Sequence, residues 1–307
     1  MNLNDLIEIV IVILFGSAVT AVLAGFTKVT GRLLKARGTG KLKATDYILL
    51  VMGCISIACI TDGFIEPFEI ETTVNEIASD KVQQSENPIR IVHLSDLHCD
   101  GVYRLEKQLP ERVRNLHPDL IVFTGDAANN NKGRIEFHEL ARALSAIAPT
   151  FAVFGNHDKR GLINEVYGGT GVKVLDATCE TVTIKGTKVW IGGAAVDDKK
   201  GLDKSSFAHP SDALSIFLYH YPCGIEAASA NKVDLLCTGH THGGQIRLPL
   251  YGALITNSSL GKKYEWGLYR VDKTWLYVSR GIGMIGLPVR FLCPPEIAVI
   301  CVNKIAR

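Results

Sequence analysis

Seven residues of this 307-residue chain combine donor types that suit a pair of divalent metal ions: Asp96, His98, Asp126, Asn156, His220, His240 and His242. Carboxylate and imidazole donors together favour Mn, Fe, Zn or Ni, with Mn the first expectation. The D-x-H spacing places Asp96 and His98 on the same side of an extended segment. One ion then takes Asp96, His98 and His242, and a second takes Asn156, His220 and His240. Asp126 is the natural bridge, because a carboxylate can span ions about 3.5–4 Å apart. Paired ions acidify a water for in-line attack on phosphorus and offset charge that builds on the phosphoryl oxygens. His157 falls outside both sets, which leaves it free to protonate or electrostatically stabilise a leaving oxygen. Asp158 either orients that loop or serves only as a turn residue.

Five apolar runs must carry these groups. They are 89–95, closing on Asp96-Leu97-His98; 120–124, closing on Gly125-Asp126; and 151–154, closing on Gly155-Asn156-His157-Asp158. The others are 214–219, closing on His220, and 233–238, closing on Gly239-His240-Thr241-His242. Helix-like stretches, 104–116 and 135–148, lie between them. Continuous apolar strands of this kind are covered on both faces, and ligands of open α/β sheets gather at the carboxyl ends of strands. A lone Asp after a strand is usually a turn or cap. Five motifs of complementary donor type in one order are not explained that way. His93, inside its apolar run, and His117, His138 and His209 read as structural.

The N-terminus has another character. Residues 6–26 are almost wholly apolar, long enough to span a bilayer, and lack the basic start and cleavage site of a removable signal. Lys28, Arg32, Lys35, Arg37, Lys41 and Lys43 follow, which marks that stretch as cytoplasmic by the positive-inside rule. The 38–41 stretch resembles a phosphate-loop fragment, but neither a preceding strand nor a following Ser or Thr supports it. A second apolar run, 47–60, is marginal for a span at about 14 residues. If it crosses, everything after Thr61 lies outside the cytoplasm; if it lies in the interface, the catalytic domain stays inside. Both topologies stand at this point. The chain is thus expected to comprise a transmembrane helix (1–27), a basic linker (28–45), a second apolar membrane segment (46–65), a connector (66–88) and a catalytic domain (89–307).

Composition bounds the rest. The net charge of +2 and the absence of a basic stripe with interleaved aromatics argue against a nucleic-acid binder, and nothing indicates an obligate protein partner. The hydrophobic fraction of 47% is high for a soluble enzyme, with the excess at the N-terminus. Eight cysteines, with no C-x-x-C pair, read as small hydrophobes rather than a disulfide or zinc framework.

The blocks Asp96-x-His98, Gly125-Asp126, Gly155-Asn156-His157-Asp158, His220 and Gly239-His240-Thr241-His242 resemble those of the calcineurin-like metallophosphoesterases, over roughly residues 89–302. The resemblance implies a four-layer α/β/β/α sandwich of two mixed sheets, here preceded by one or two transmembrane helices. It also implies two-metal hydrolysis of phosphomonoesters, phosphodiesters or pyrophosphates. Gly243-Gly244-Gln245, the 279–283 and 288–290 stretches and Pro295-Glu296-Ile297 are similar to a membrane-anchored bacterial branch. That branch includes UDP-2,3-diacylglucosamine pyrophosphatases and related phosphodiesterases. Two departures stand out. The family often has Asp three residues after Gly-Asp, holding the catalytic His; here Asn129 would hold His157, less firmly. One extra residue precedes Gly101. Arg280 and Arg290 are the expected anion contacts, and the apolar 281–288 stretch forms either core or a greasy lip. A hydrophobic anchor with such a lip suits a lipid-linked phosphate; soluble phosphoesters are the alternative, and a metal-free scaffold is a third.

Overall fold

The computed structural model describes residues 3–35, 42–83, 87–196, 202 and 207–305. Arg37, Lys41 and the 38–41 stretch lie outside the described residues, as do three of the polar residues of 80–87.

Two long helices come first, α1 (Leu3–Lys35) and α2 (Ala44–Ile65). At 1.5 Å per residue, α2 alone is about 33 Å long, against a bilayer core of about 30 Å. The expected run 47–60 is therefore too short. Thr61, Asp62 and Gly63 continue the helix, with the Thr61 hydroxyl donating to Ile57 O at 2.8 Å. The basic linker also needs correction, because Lys28, Arg32 and Lys35 sit on the last turns of α1. Both helices are long and apolar enough to cross a membrane. They pack antiparallel as a hairpin, where Gly53 lets the Phe26 ring lie against the α2 backbone. An Arg32–Asp46 ion pair ties the turn end.

The remaining chain builds two six-stranded mixed sheets. The first has the order β1 (Glu71–Ser79), β14 (Glu296–Lys304), β2 (Ile89–Leu94), β3 (Leu120–Phe123), β4 (Thr150–Ala152), β5 (Lys173–Val174). Its β2–β5 run is parallel, and β14 is antiparallel to β2. The second has the order β12 (Gly267–Val271), β13 (Thr274–Val278), β9 (Leu235–Thr238), β8 (Leu214–Leu218), β7 (Thr187–Gly193), β6 (Thr178–Ile184). A short hairpin of β10 (Arg247–Leu248) and β11 (Gly252–Ala253) stands apart. The connector 66–88 is thus not outside the domain. Strand β1 pairs in parallel with β14 from Glu71↔Glu296 to Ser79↔Lys304, so the sheet begins at residue 71.

Three apolar layers hold the stack. Ile91, Val122 and Phe151 of the first sheet meet Val189, Ile216 and Leu235 of the second between the sheets. The outer face of the first sheet packs on α3 (Leu109–Asn115) and α4 (Asn131–Ser145) through Val113, Phe137 and Leu140. The outer face of the second packs Phe217 and Leu236 against α6 (Ile225–Ala230). A short α5 (Ile163–Val166) adjoins α4. This is the four-layer α/β/β/α sandwich. Helix α3 is shorter than the expected 104–116, because the Glu106 carboxylate captures the N–H groups of Arg104 and Leu105 and Pro110 then starts the helix. Helix α4 begins earlier than 135, capped by the Asn130 side chain accepting from Gly133 N at 2.9 Å.

Candidate metal centre

Each expected ligand leaves the carboxyl end of a strand: Asp96 and His98 after β2, Asp126 after β3, Asn156 after β4, His220 after β8, and His240 and His242 after β9. Five of the seven hold left-handed backbone: Asp96 (φ 52°), His98 (48°), Asp126 (57°), His240 (73°) and His242 (51°). Such φ values are uncommon outside glycine and cost about 1–3 kcal/mol each. The chain turns sharply off each strand and points these side chains back over the sheet edges. Two glycines make room. A Cβ on Gly155 would strike the Asp126 carboxylate, and one on Gly239 would strike Ser95 and Asp96.

The side chains converge. Asp96, His98 and His242 form one buried group within 4.8 Å of one another, and Asp96, Asp126 and His220 form another. His98 Nε2 and His242 Nε2 face each other at 3.1 Å, and Asp126 Oδ2 lies 3.4 Å from His98 Nε2 and 3.3 Å from His220 Nε2. Asn156 Oδ1 is 3.0 Å from His220 Nε2, and the His240 ring lies 5.1 Å from that of His220.

Hydrogen bonds fix the tautomers. His98 Nδ1–H donates to Asn129 Oδ1 at 2.7 Å, and His220 Nδ1–H donates to Thr124 O at 2.6 Å. Each leaves Nε2 as a lone pair aimed at the cluster. His240 is reversed: its Nε2–H donates to Asn257 O at 2.9 Å, which leaves Nδ1 as the donor atom toward a metal. Three imidazole lone pairs and two carboxylates aimed at one buried space fit a divalent cation pair, and the orphaned His242 Nδ1 marks a polar group buried beside it.

The charge balance is tight. Burial opposes a charged His220, but without a cation the Asp126 and Asp96 carboxylates outweigh it and favour a proton on Nε2, which a bound metal would displace. Burial likewise opposes ionisation of Asp126, yet His220, His98 and the His157 N–H hold its carboxyl well below the usual range. Asp96 is pushed up by burial and by Asp126. Burial, with the neighbouring His220, brings His240 down to about 4.

Three expectations need correction. Asn129 does not hold His157: its Oδ1 accepts from His98 and its Nδ2 donates to His98 O at 3.2 Å, so it braces a candidate ligand. Among the described residues nothing hydrogen-bonds the His157 ring, which lies exposed and edge-on to His98 with centroids 5.1 Å apart. Arg290 is not an anion contact. It is fully buried, and its guanidinium donates to the carbonyls of Cys293, Arg280, Gly281 and Gly283. Arg280 is committed to Glu71 at 2.6 Å, near Glu296 at 3.6 Å, under the Trp266 ring. Both arginines brace the 280–293 segment instead of facing substrate.

Asp158 has the orienting role. Its carboxylate accepts from the backbone N–H of Asp126 (2.7 Å), Gly155 (2.8 Å) and Ala127 (2.9 Å), which locks two ligand loops together. Two contributors escape the sequence reading. Tyr221 packs edge-on to His240 at 4.4 Å, with adjacency to His220 as its only sequence signal; Asn257 has none. His93 is structural as expected, its Nε2 2.8 Å from the Thr124 hydroxyl and its pKa brought down to about 3 by burial.

The chain matches the family model described as calcineurin-like phosphoesterase over residues 89–244, and it belongs to that family. It is 34% identical over 281 residues to the Bacillus subtilis protein named uncharacterized metallophosphoesterase YkuE, covering 84% of this chain and 97% of that one. It is 30% identical over 223 residues to the Escherichia coli phosphodiesterase YaeI, covering 69% and 82%. A zebrafish (Danio rerio) transmembrane protein with metallophosphoesterase domain is 26% identical, over 88% of this chain and 65% of its own length. The chain is a metal-dependent phosphoesterase of a dinuclear family.

Proposed function

We propose that this chain is a membrane-anchored phosphodiester or pyrophosphate hydrolase whose substrate is lipid-linked, such as UDP-2,3-diacylglucosamine or a phospholipid. The observation that carries the hydrolytic reading is the pair of buried three-residue groups that share Asp96, with Asp126 of the second group also 3.4 Å from His98 of the first. Asp96, His98 and His242 would hold one ion; Asn156, His220 and His240 the other; Asp126 would touch both. Mn is the first candidate metal, with Fe, Zn and Ni behind it. When bound, the pair supplies an acidified water and charge neutralisation at phosphorus.

The chain's own groups do the rest. Asn129 and Thr124 keep His98 and His220 in the tautomer that presents Nε2. Asp158 fixes the distance between the Asp126 and Asn156 loops. The exposed His157 ring, at the outer edge of the cluster, gives its proton to the leaving oxygen as the P–O bond breaks, while the attacking water bonds to phosphorus and releases its own proton to solvent. Two observations support the membrane reading: the hairpin of membrane-length helices, and the family relative named for its transmembrane nature. With both helices crossing and the basic turn in the cytoplasm, the catalytic domain lies on the opposite side.

The test is turnover by the full chain, reconstituted with Mn, of lipid pyrophosphates and phosphodiesters beside a soluble chromogenic diester. Preference for the lipids supports the proposal; equal use of short-chain and diacylated substrates sinks the lipid part. His157→Ala is expected to lower kcat by about 10²–10⁴ with metal content intact.

A further inference from the structure

A cavity of about 510 Å³ lies between the two N-terminal helices and the catalytic domain, and its lining is overwhelmingly apolar. Val19 and Val22 of α1 and Met52 and Cys59 of α2 form one wall; Val289 and Phe291 form the other. That volume is in the range of small-ligand sites, roughly 300–1,000 Å³. It is open to the surroundings of the helices, which by length and composition suit a bilayer.

The second wall is the feature that connects this cavity to chemistry. Residues 284–291 run as a strap between two spaces. One face of the strap, with Met284, Gly286 and Pro288, lines a smaller pocket that also contains His98 and Asn129. The other face, with Val289 and Phe291, lines the apolar cavity. The strap is anchored on both sides. Arg290 N donates to Gly63 O of α2 at 3.0 Å, which joins the helix hairpin directly to the strap. Just beyond it, the Glu66 carboxylate accepts from Leu292 N and Cys293 N. Gln245, three residues beyond His242, grips the strap from the metal side: its Oε1 accepts from Ile285 N, and its Nε2 donates to Ile285 O at 3.1 Å and Leu287 O at 3.3 Å. Leu287 in the strap, and Leu250 beside the wall residue Pro249, are largely exposed, although both are large and apolar.

We infer that the cavity is the binding site for one hydrocarbon chain of the substrate, which lies across the strap with its phosphate toward His98 and Asn129. This rests on the lipid-linked reading given above and adds the site to it. A fatty acyl or alkyl chain is the occupant that the surroundings specify. The cavity presents almost no polar group to satisfy, the helices that wall it suit the bilayer, and the strap that closes it also borders the ligand cluster. A chain drawn from the bilayer between α1 and α2 reaches the strap without crossing water.

The test uses the full chain with Mn in phosphatidylcholine vesicles and a series of alkyl p-nitrophenyl phosphates from methyl to octyl. Within each protein, kcat/KM is compared along the series, so that each protein is its own reference. The site predicts a rise of roughly threefold to fourfold per methylene. That slope should flatten in Cys59→Phe and Val22→Phe, which fill the cavity. Equal slopes in all three proteins would overturn the inference, since partition into the vesicle alone then explains the rise. A flat wild-type slope with good turnover of the methyl ester would remove the lipid reading with it and leave the hydrolase. If no ester is turned over, binding decides. An octylphosphonate brominated on its chain should quench Met52→Trp fluorescence saturably, and should fail to do so when Cys59→Phe is added. Quenching that does not saturate, or that Cys59→Phe leaves unchanged, counts against the site.

Discussion

Replacing Asn129 separates two roles that the same side chain could have. In the structure it makes two hydrogen bonds to His98, one to the ring at 2.7 Å and one to the backbone carbonyl at 3.2 Å. The His98 side chain is fully buried and its backbone is held at φ 48°, so without this clamp the ring loses both its tautomer and its support. Two such bonds are worth about 1–3 kcal/mol together, which corresponds to roughly 5- to 150-fold in an equilibrium constant. Partners that orient a metal-binding histidine are typically worth about 10–100-fold in metal affinity. Asn129→Ala should therefore weaken binding of one ion of the pair by about that factor, read by titrating Mn into the chelated protein. Turnover should recover at saturating Mn. Asn129→Asp should restore only part of the affinity, because a carboxylate accepts more strongly from Nδ1–H but cannot donate to His98 O. The opposite pattern, unchanged affinity with kcat depressed at saturating Mn, would mean that Asn129 supports His157 after all.

Arg290→Ala should destabilise the chain by at least about 3 kcal/mol, because it leaves four buried carbonyls without their donor at about 1–3 kcal/mol each, and Arg290→Lys should not recover it because one ammonium cannot reach four carbonyls. Denaturant unfolding reads this; a change in KM with unaltered stability would return Arg290 to the substrate. Asp158→Ala removes three charge-assisted acceptor contacts and should cost at least about 3 kcal/mol, together with loss of metal affinity, whereas an effect on turnover alone would contradict its bracing role. Chelation should lower the thermal midpoint, and added Mn should raise it in proportion to the logarithm of free metal above Kd. A midpoint indifferent to metal would argue against a centre shared by both sheets.

Much of this architecture is legible because parallel strands buried on both faces write themselves as apolar runs with abrupt polar ends. The runs at 89–95, 120–124 and 214–219 match β2, β3 and β8 to within a residue. What stays hidden is what depends on distant pairing or on side-chain direction. Strand β1 is half exposed and amphipathic, and only its register with β14, more than 200 residues away, makes it part of the sheet. The second membrane-length helix reads short in the sequence because Thr61 and Asp62 interrupt the apolar run, whereas the Thr61 hydroxyl bonds back to Ile57 O and the helix continues. The family resemblance implied that Asn129 holds His157, whereas the side-chain directions give it to His98. An arginine beside glycines looks the same in sequence whether it faces an anion or a ring of carbonyls.

The seven ligands divide unequally along the chain. The first 160 residues supply Asp96, His98, Asp126 and Asn156 to one sheet, and the three histidines arrive only with the second sheet, from residue 220 onward. Neither close three-residue group can be assembled from one sheet, since His242 completes the first and His220 the second. A chain that emerges N-terminus first therefore passes through most of its synthesis with carboxylates in place and no complete site. On the proposed ligand assignment, hydrolytic competence would arrive late, when the two sheets close face to face, and a molecule lacking the second sheet would be silent toward phosphoesters.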